Sequence, residues 1–121
     1  MGTVLIVDDE ALIRWSLAES LEAAGFGVIE AGSAREALQR VADRSGTITV
    51  AVLDLKLPDS SDLGLLRRIQ EIAPDCRIIL MTAHGTPELL DEARRAGAFG
   101  ALSKPFDMTR IVGLVRDAVA A

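Results

Sequence analysis

Five short apolar runs, each followed by a stretch of helical periodicity, set the tightest limit on what this chain can fold into. The runs are Thr3–Val7 (TVLIV), the short pair Val28–Ile29, Ile48–Leu53, Arg77–Met81 (RIILM) and a weak fifth at Phe99–Leu102. Their residues are apolar at consecutive positions rather than at every second one. Strands of that kind are buried on both faces, which means a parallel sheet covered by helices on each side. The intervening helices carry ordinary end signals. Ala11–Ala24 stops at Gly25. Ser33, with Glu36 three residues on, opens a helix to about Ala42 as a capping box. Leu63–Ile72 ends before Pro74, and Pro87 stands in the first turn of a helix that Gly97 closes. Asp107–Ala120 is the last helix. Strict alternation predicts a doubly wound α/β fold with five parallel strands and five helices, taken here in the five-unit strand order 2-1-3-4-5. With no linker or low-complexity stretch, residues 1–121 read as one domain of ordinary size. No effector domain is expected within them.

Half the residues are hydrophobic, yet Trp15, Phe26, Phe99 and Phe106 are the only aromatics, so the core must be aliphatic. The net charge of -5 argues against a nucleic-acid surface, because neutralising phosphates takes clustered Lys and Arg. The pairs Arg67–Arg68 and Arg94–Arg95 read as solvated helix faces. Cys76 is the single cysteine, which excludes an intrachain disulfide or a cysteine metal cluster and fits a reducing cytoplasm. No apolar run approaches the ~18 residues of a membrane helix. The N-terminus has no basic secretory segment, and Ile6 stands where a myristoylation signal wants Ser or Thr.

The strands end on chemistry. In such sheets ligands bind beyond the carboxyl ends of the strands, where the strand order reverses. Strands one and three are neighbours there, and they deliver Asp8–Asp9 and Asp54. Thr82 follows strand four and Lys104 follows strand five. Three close carboxylates repel one another and call for a cation. All-oxygen ligation with few protein groups suits Mg2+, which keeps waters and shares phosphate oxygens. Lys104 adds a point charge for a phosphoryl group, and Thr82 a hydrogen-bond donor. The set predicts a phosphoryl group carried on a carboxylate, with Asp54 as nucleophile. The one histidine, His84, lacks a serine elbow for a hydrolase triad. GFGVIE (25–30) lacks the third glycine of a phosphate-binding loop.

LIVDDE (5–10), LDLKLPD (53–59), MTAHG (81–85) and SKPF (103–106) stand in order across the chain, which resembles a CheY-like response-regulator receiver domain. IRWSL (13–17) and the KPFD segment are similar to the NtrC-type subgroup. The resemblance implies that Asp54 takes a phosphoryl group from the phosphohistidine of a sensor histidine kinase. It implies that Asp9, Asp54 and the Lys56 main-chain carbonyl hold Mg2+, with Asp8 acting partly through water. It further implies that Thr82 and Lys104 bind phosphoryl oxygens, that the Lys104–Pro105 bond is cis, and that Lys56 and His84 tune the phosphoryl lifetime. Such a module switches an output, here transcription through segments outside this chain, and is a signalling phospho-acceptor rather than an enzyme. A homodimer through helices four and five, with Leu90 and Val112 facing outward, is a family-based expectation.

Two positions depart from the family pattern. Receivers carry an aromatic three residues before the lysine, and here that position is Ala101. Phe99, two residues earlier, is expected on the same strand face by the period of two. Glycine is usual at the place of Asp62, so the loop 58–64 is expected to be altered, with Gly64 a shifted replacement.

Less specific readings stand beside these. Asp8 or Asp9 would suit the N-cap of the first helix, and Thr82 a cap for the turn after it. On a helical wheel Ile13, Leu17, Leu21 and Ala24 face the sheet, leaving Leu12 and Trp15 outward as a docking surface for the kinase. Two rival functions remain. One is a phosphohydrolase of the haloacid-dehalogenase type, but that chemistry uses D-x-D and Lys56 occupies the second place. The other is a degenerate receiver that works as a phosphorylation-independent interaction module, which Ala101 keeps open.

Overall fold

The computed structural model describes every residue except Met1, Ser45, Ser61 and His84. Ten elements alternate: β1 (Thr3–Val7), α1 (Ala11–Ala23), β2 (Gly27–Ala31), α2 (Ala34–Asp43), β3 (Ile48–Asp54), α3 (Gly64–Ile72), β4 (Arg77–Thr82), α4 (Pro87–Arg95), β5 (Gly100–Ser103) and α5 (Met108–Ala120). All strand pairs are parallel, in the order β2-β1-β3-β4-β5. The expected fold class is therefore the observed one.

Side-chain alternation splits the sheet into two cores. Leu5, Val7, Ala51, Leu53, Ile78 and Leu80 face α2 and α3. Their strand neighbours Val4, Ile6, Val50, Val52, Ile79 and Met81 face α1 and α5. Leu17 and Leu21 of α1 are fully buried, while Ile13 and Ala24 pack partly against the same cluster. Truncating Leu17 to Ala would open a cavity at a cost of about 2–5 kcal/mol. Leu12 and Trp15, by contrast, are 74% and 59% exposed. The wheel separates the two faces of α1 as the packing does.

The helix ends follow local rules. Ser33 Oγ accepts from the Glu36 amide at 3.1 Å, and Glu36 Oε2 accepts from the Gly32 amide at 2.9 Å. The reciprocal bond thus lands one residue before the cap. Gly97 follows α4 with φ +106°, a left-handed turn that favours glycine.

Several expectations need correction. Phe99 does not share a face with Ala101. The strand starts at Gly100, and Phe99 precedes it, so the period of two does not reach it. Its ring packs on the α1–α5 side while Ala101 packs on the opposite core. Gly64 is no left-handed replacement: its φ is not positive, and no described non-glycine residue has positive φ. Instead Asp62 Oδ1 accepts from the Gly64 amide at 2.8 Å and leads the chain into α3. Leu90 and Val112 are half-buried rather than outward, Val112 against the α1–α5 core. Glu10, not Asp8 or Asp9, occupies the N-cap of α1, with no side-chain bond. The cap of α4 is Thr86, which accepts from Leu89, leaving Thr82 as the last residue of β4.

Candidate functional site

Register brings the acids together. Val7 pairs with Leu53 across β1 and β3, so the residues that follow, Asp8 and Asp54, are neighbours at the sheet's carboxyl edge. Asp54 pairs with Met81, and Thr82 with Ser103, which sets Lys104 beyond the end of β5. Asp8, Asp54 and Thr82 are the buried polar residues among those described, at 0%, 7% and 6% exposure. Asp9 is exposed.

Lys104 binds the two buried acids at once. Its Nζ lies 3.1 Å from Asp8 Oδ2 and 3.2 Å from Asp54 Oδ2. The backbone holds the other oxygens: Asp8 Oδ1 accepts from the Glu10 amide at 2.9 Å, and Asp54 Oδ1 from the Lys56 amide at 3.1 Å. Lys104 is itself steadied by its amide, which donates to the Thr82 carbonyl at 2.7 Å, and the Lys104–Pro105 bond is cis as expected.

Burial raises the Asp54 carboxyl above its ordinary 3.8, against the opposing pull of the Lys56 amide and the Lys104 charge. Burial alone would lower the Lys104 ammonium, but its hydrogen bond to Asp8 and the charge of Asp54 outweigh this and raise it. Three carboxylates thus face one ammonium, an excess of negative charge at one spot.

Asp8, Asp9 and Asp54 each offer an oxygen, and these atoms lie within 4.8 Å of one another. A set of hard oxygens around that excess charge fits a divalent cation such as Mg2+. Asp9 and Asp54 open onto a depression of about 660 Å3, walled by Lys56, Pro58, Thr82 and Leu89, with Asp8 buried behind them. Every expected site residue that can be placed meets here: Asp8, Asp9, Asp54, Lys56, Thr82 and Lys104. His84 lies outside the described residues.

Two further side chains support the pocket without having been singled out. Arg14 Nη1 donates to the Asp8 carbonyl at 2.6 Å while Nε lies 3.4 Å from Glu30 Oε1, bracing the β1–α1 turn against β2. Asp59, in the β3–α3 loop, binds the first amides of α2. Both act across long or irregular spacings, for which no local pattern exists.

A 2-1-3-4-5 sheet with a cation-ready acid pocket at its central switch point defines a CheY-like class of α/β domain. The family model for the response regulator receiver domain matches residues 4–116, and the chain belongs to that family, the receiver domains of two-component systems. It is 38% identical over 118 residues to the DNA-binding transcriptional regulator NtrC of Azospirillum brasilense, covering 98% of this chain and 24% of that protein. NtrC of Escherichia coli K12 is 35% identical over 119 residues, covering 98% of this chain and 25% of that protein. This places the chain with NtrC-type receivers, and it spans about a quarter of the length of these curated relatives. A receiver domain from Clostridium thermocellum superposes with a TM-score of 0.92 at 30% identity, covering 99% of this chain and 95% of that one. A response regulator from Burkholderia pseudomallei, solved with a phosphorylated aspartic acid and a calcium ion, superposes at 0.86 with 26% identity, over 99% and 69% of the two chains. No helix among the described residues is long and apolar enough to cross a membrane.

Proposed function

We propose that residues 1–121 form one receiver unit that accepts a phosphoryl group on Asp54 from the phosphohistidine of a sensor histidine kinase. In that transfer the P–N bond to the imidazole breaks and a P–O bond to an Asp54 carboxylate oxygen forms. The observation that carries the reading is Lys104 Nζ, held between the buried carboxylates of Asp8 and Asp54. An ammonium so placed neutralises ground-state charge and stands ready to stabilise the oxygens of the transferring group. Thr82, buried at the adjacent strand end, supplies a hydroxyl donor for one of them. Asp8, Asp9 and Asp54, with the Lys56 main-chain carbonyl, would hold Mg2+. When bound, the ion offsets charge on the phosphoryl oxygens.

The module is a switch rather than a turnover enzyme: Lys56 occupies the place where an aspartyl phosphohydrolase needs an acid. The reading also supports a cytoplasmic site of action, output through segments of a longer regulator, and no direct nucleic-acid contact by this part.

Leu12 and Trp15, exposed on α1, are proposed to dock the kinase. If so, Trp15→Ala slows phosphotransfer from the cognate kinase while leaving reaction with acetyl phosphate unchanged. Equal rates from the kinase would sink the docking role. A homodimer through α4 and α5 has less support, since Leu90 and Val112 are half-buried.

The direct test is the intact mass of the protein after acetyl phosphate and Mg2+, beside Asp54→Asn. One phosphoryl adduct on the wild type and none on the variant supports the reading. No adduct after rapid quenching favours the second one, a phosphorylation-independent interaction module. Ala101 is the observation that speaks for that alternative.

A further inference from the structure

The loop leaving the acid pocket is tied by one side chain to a different helix. Asp59 Oδ1 accepts from the Ala34 amide at 2.8 Å, and Oδ2 from the Arg35 amide at 3.0 Å. These are the first two amides of α2, which have no partner inside the helix. Helix α2 already has a cap of its own in Ser33 and Glu36. Asp59 adds acceptors for two more amides, the first of them from 25 residues further along the chain. Those two bonds, foremost the one from Ala34, also hold its carboxyl below the ordinary 3.8.

The same loop begins at the pocket. The Leu55 amide donates to the Met81 carbonyl at 2.9 Å, and the Lys56 amide donates to Asp54 Oδ1. Leu57 and Ser60 then exchange both backbone bonds, at 2.7 and 3.3 Å, closing a turn with Asp59 near its tip. Segment 55–60 is thus anchored to β4 and Asp54 at one end and to α2 at the other.

We propose that Asp59 is a positioning residue for the cation pocket: by pinning the Leu57–Ser60 turn to the N-terminus of α2, it holds Lys56 against Asp54 in the arrangement a divalent cation requires. The inference rests on reading that pocket as a cation site. A loop fixed in advance loses little freedom when the ion binds, so the bond network shows up as affinity. Residues that orient ligand groups in this way commonly change metal affinity about 10–100-fold when removed.

The test is calorimetric titration of the protein with Mg2+ alone, for wild type, Asp59→Ala, Asp59→Asn and Ser33→Ala. Ser33→Ala strips a cap from the same helix without touching the loop. The wild type is expected to bind, Asp59→Ala to bind roughly tenfold more weakly, and Asp59→Asn, which keeps one acceptor oxygen, to fall between. Ser33→Ala should match the wild type in Mg2+ affinity although its Tm falls. Unchanged affinity in Asp59→Ala overturns the inference and leaves the cation reading intact. Equal weakening by Ser33→Ala also overturns it, making Asp59 a helix cap and nothing more. If Asp59→Ala does not fold, an Asp59→Asn indistinguishable from wild type overturns it instead. No binding by wild type overturns both readings.

Discussion

Lys104 Nζ lies 3.2 Å from Asp54 Oδ2, although 50 residues separate them in the chain. The same ammonium reaches Asp8 at 3.1 Å, so one cation serves two buried carboxylates. Lys104→Met should therefore do more than remove a phosphoryl contact. It leaves two buried acids facing each other. Breaking a fully buried pair costs about 3–5 kcal/mol. The Lys104 side chain keeps 19% exposure, so a loss on the order of 2 kcal/mol is expected. Millimolar Mg2+ should restore much of it, because an ion that binds only the folded state stabilises it. Urea denaturation with and without Mg2+ checks this, and an Mg2+-independent loss would contradict the shared-charge account.

Asp54→Asn should raise Tm at neutral pH in the absence of Mg2+. The folded pKa of Asp54 lies above its unfolded value of about 3.8, so the native state binds that proton more tightly than the unfolded chain. The resulting stability is fully present below the unfolded value and is lost as pH rises through the folded one. At pH 7 the wild type therefore carries the cost of an ionised buried carboxylate, and the amide does not. The gap between the two proteins should close on acidification through the folded pKa. A gap constant from pH 7 to 4 would contradict this.

Asp59→Ala should show the opposite pH trend. A carboxyl held below 3.8 contributes stability that is present above that value and lost as pH falls through the folded pKa. The variant should melt earlier than wild type at pH 7, with the two converging in strong acid. Thermal melts across that range decide it.

Cys76 should be nearly inert in the folded protein. Burial pushes its thiol up to about 11, so at pH 8 roughly one molecule in a thousand carries the reactive thiolate. Iodoacetamide labelling read by mass should be slow in buffer and fast in urea. Rapid labelling of native protein would show that this end of the sheet opens.

Ala101→Tyr should not rebuild the usual receiver arrangement. Ala101 borders a cavity of only about 40 Å3, closed by Leu90, Ala93, Arg94, Ala98 and Gly100. A ring exceeds that space, and overpacking typically costs about 1–3 kcal/mol. Lower stability with unchanged acetyl phosphate labelling is expected. A gain in stability would mean that α4 readily moves aside.

The alternation of strands and helices and the acids at the strand ends were legible because each depends on a local pattern. Continuous apolar runs mark buried parallel strands, and the residue after each run must lie at the sheet's edge. Asp8, Asp54 and Thr82 come directly after their runs, and Asp9 and Lys104 one residue further on. What was not legible depends on the third dimension. Asp59 serves a helix 25 residues earlier, and no spacing rule relates the two. Phe99 was misassigned because a single-residue shift in where β5 begins changes the face of what precedes it. Leu90 and Val112 were expected to face outward by analogy with the family, but neighbouring elements cover part of each. Gly64 invited a backbone explanation, whereas the Asp62 side chain makes the turn by a hydrogen bond.

The scarcity of aromatic residues has a practical consequence. With one tryptophan and no tyrosine, nearly all ultraviolet emission from this protein comes from a single indole. That indole stands on the outer side of α1, away from the aliphatic interior. Its emission will be red-shifted and open to collisional quenching by iodide. Any molecule that settles on that side of α1 will shield it and shift the spectrum to the blue. The protein therefore carries a built-in optical gauge of what touches its first helix, one that needs no label.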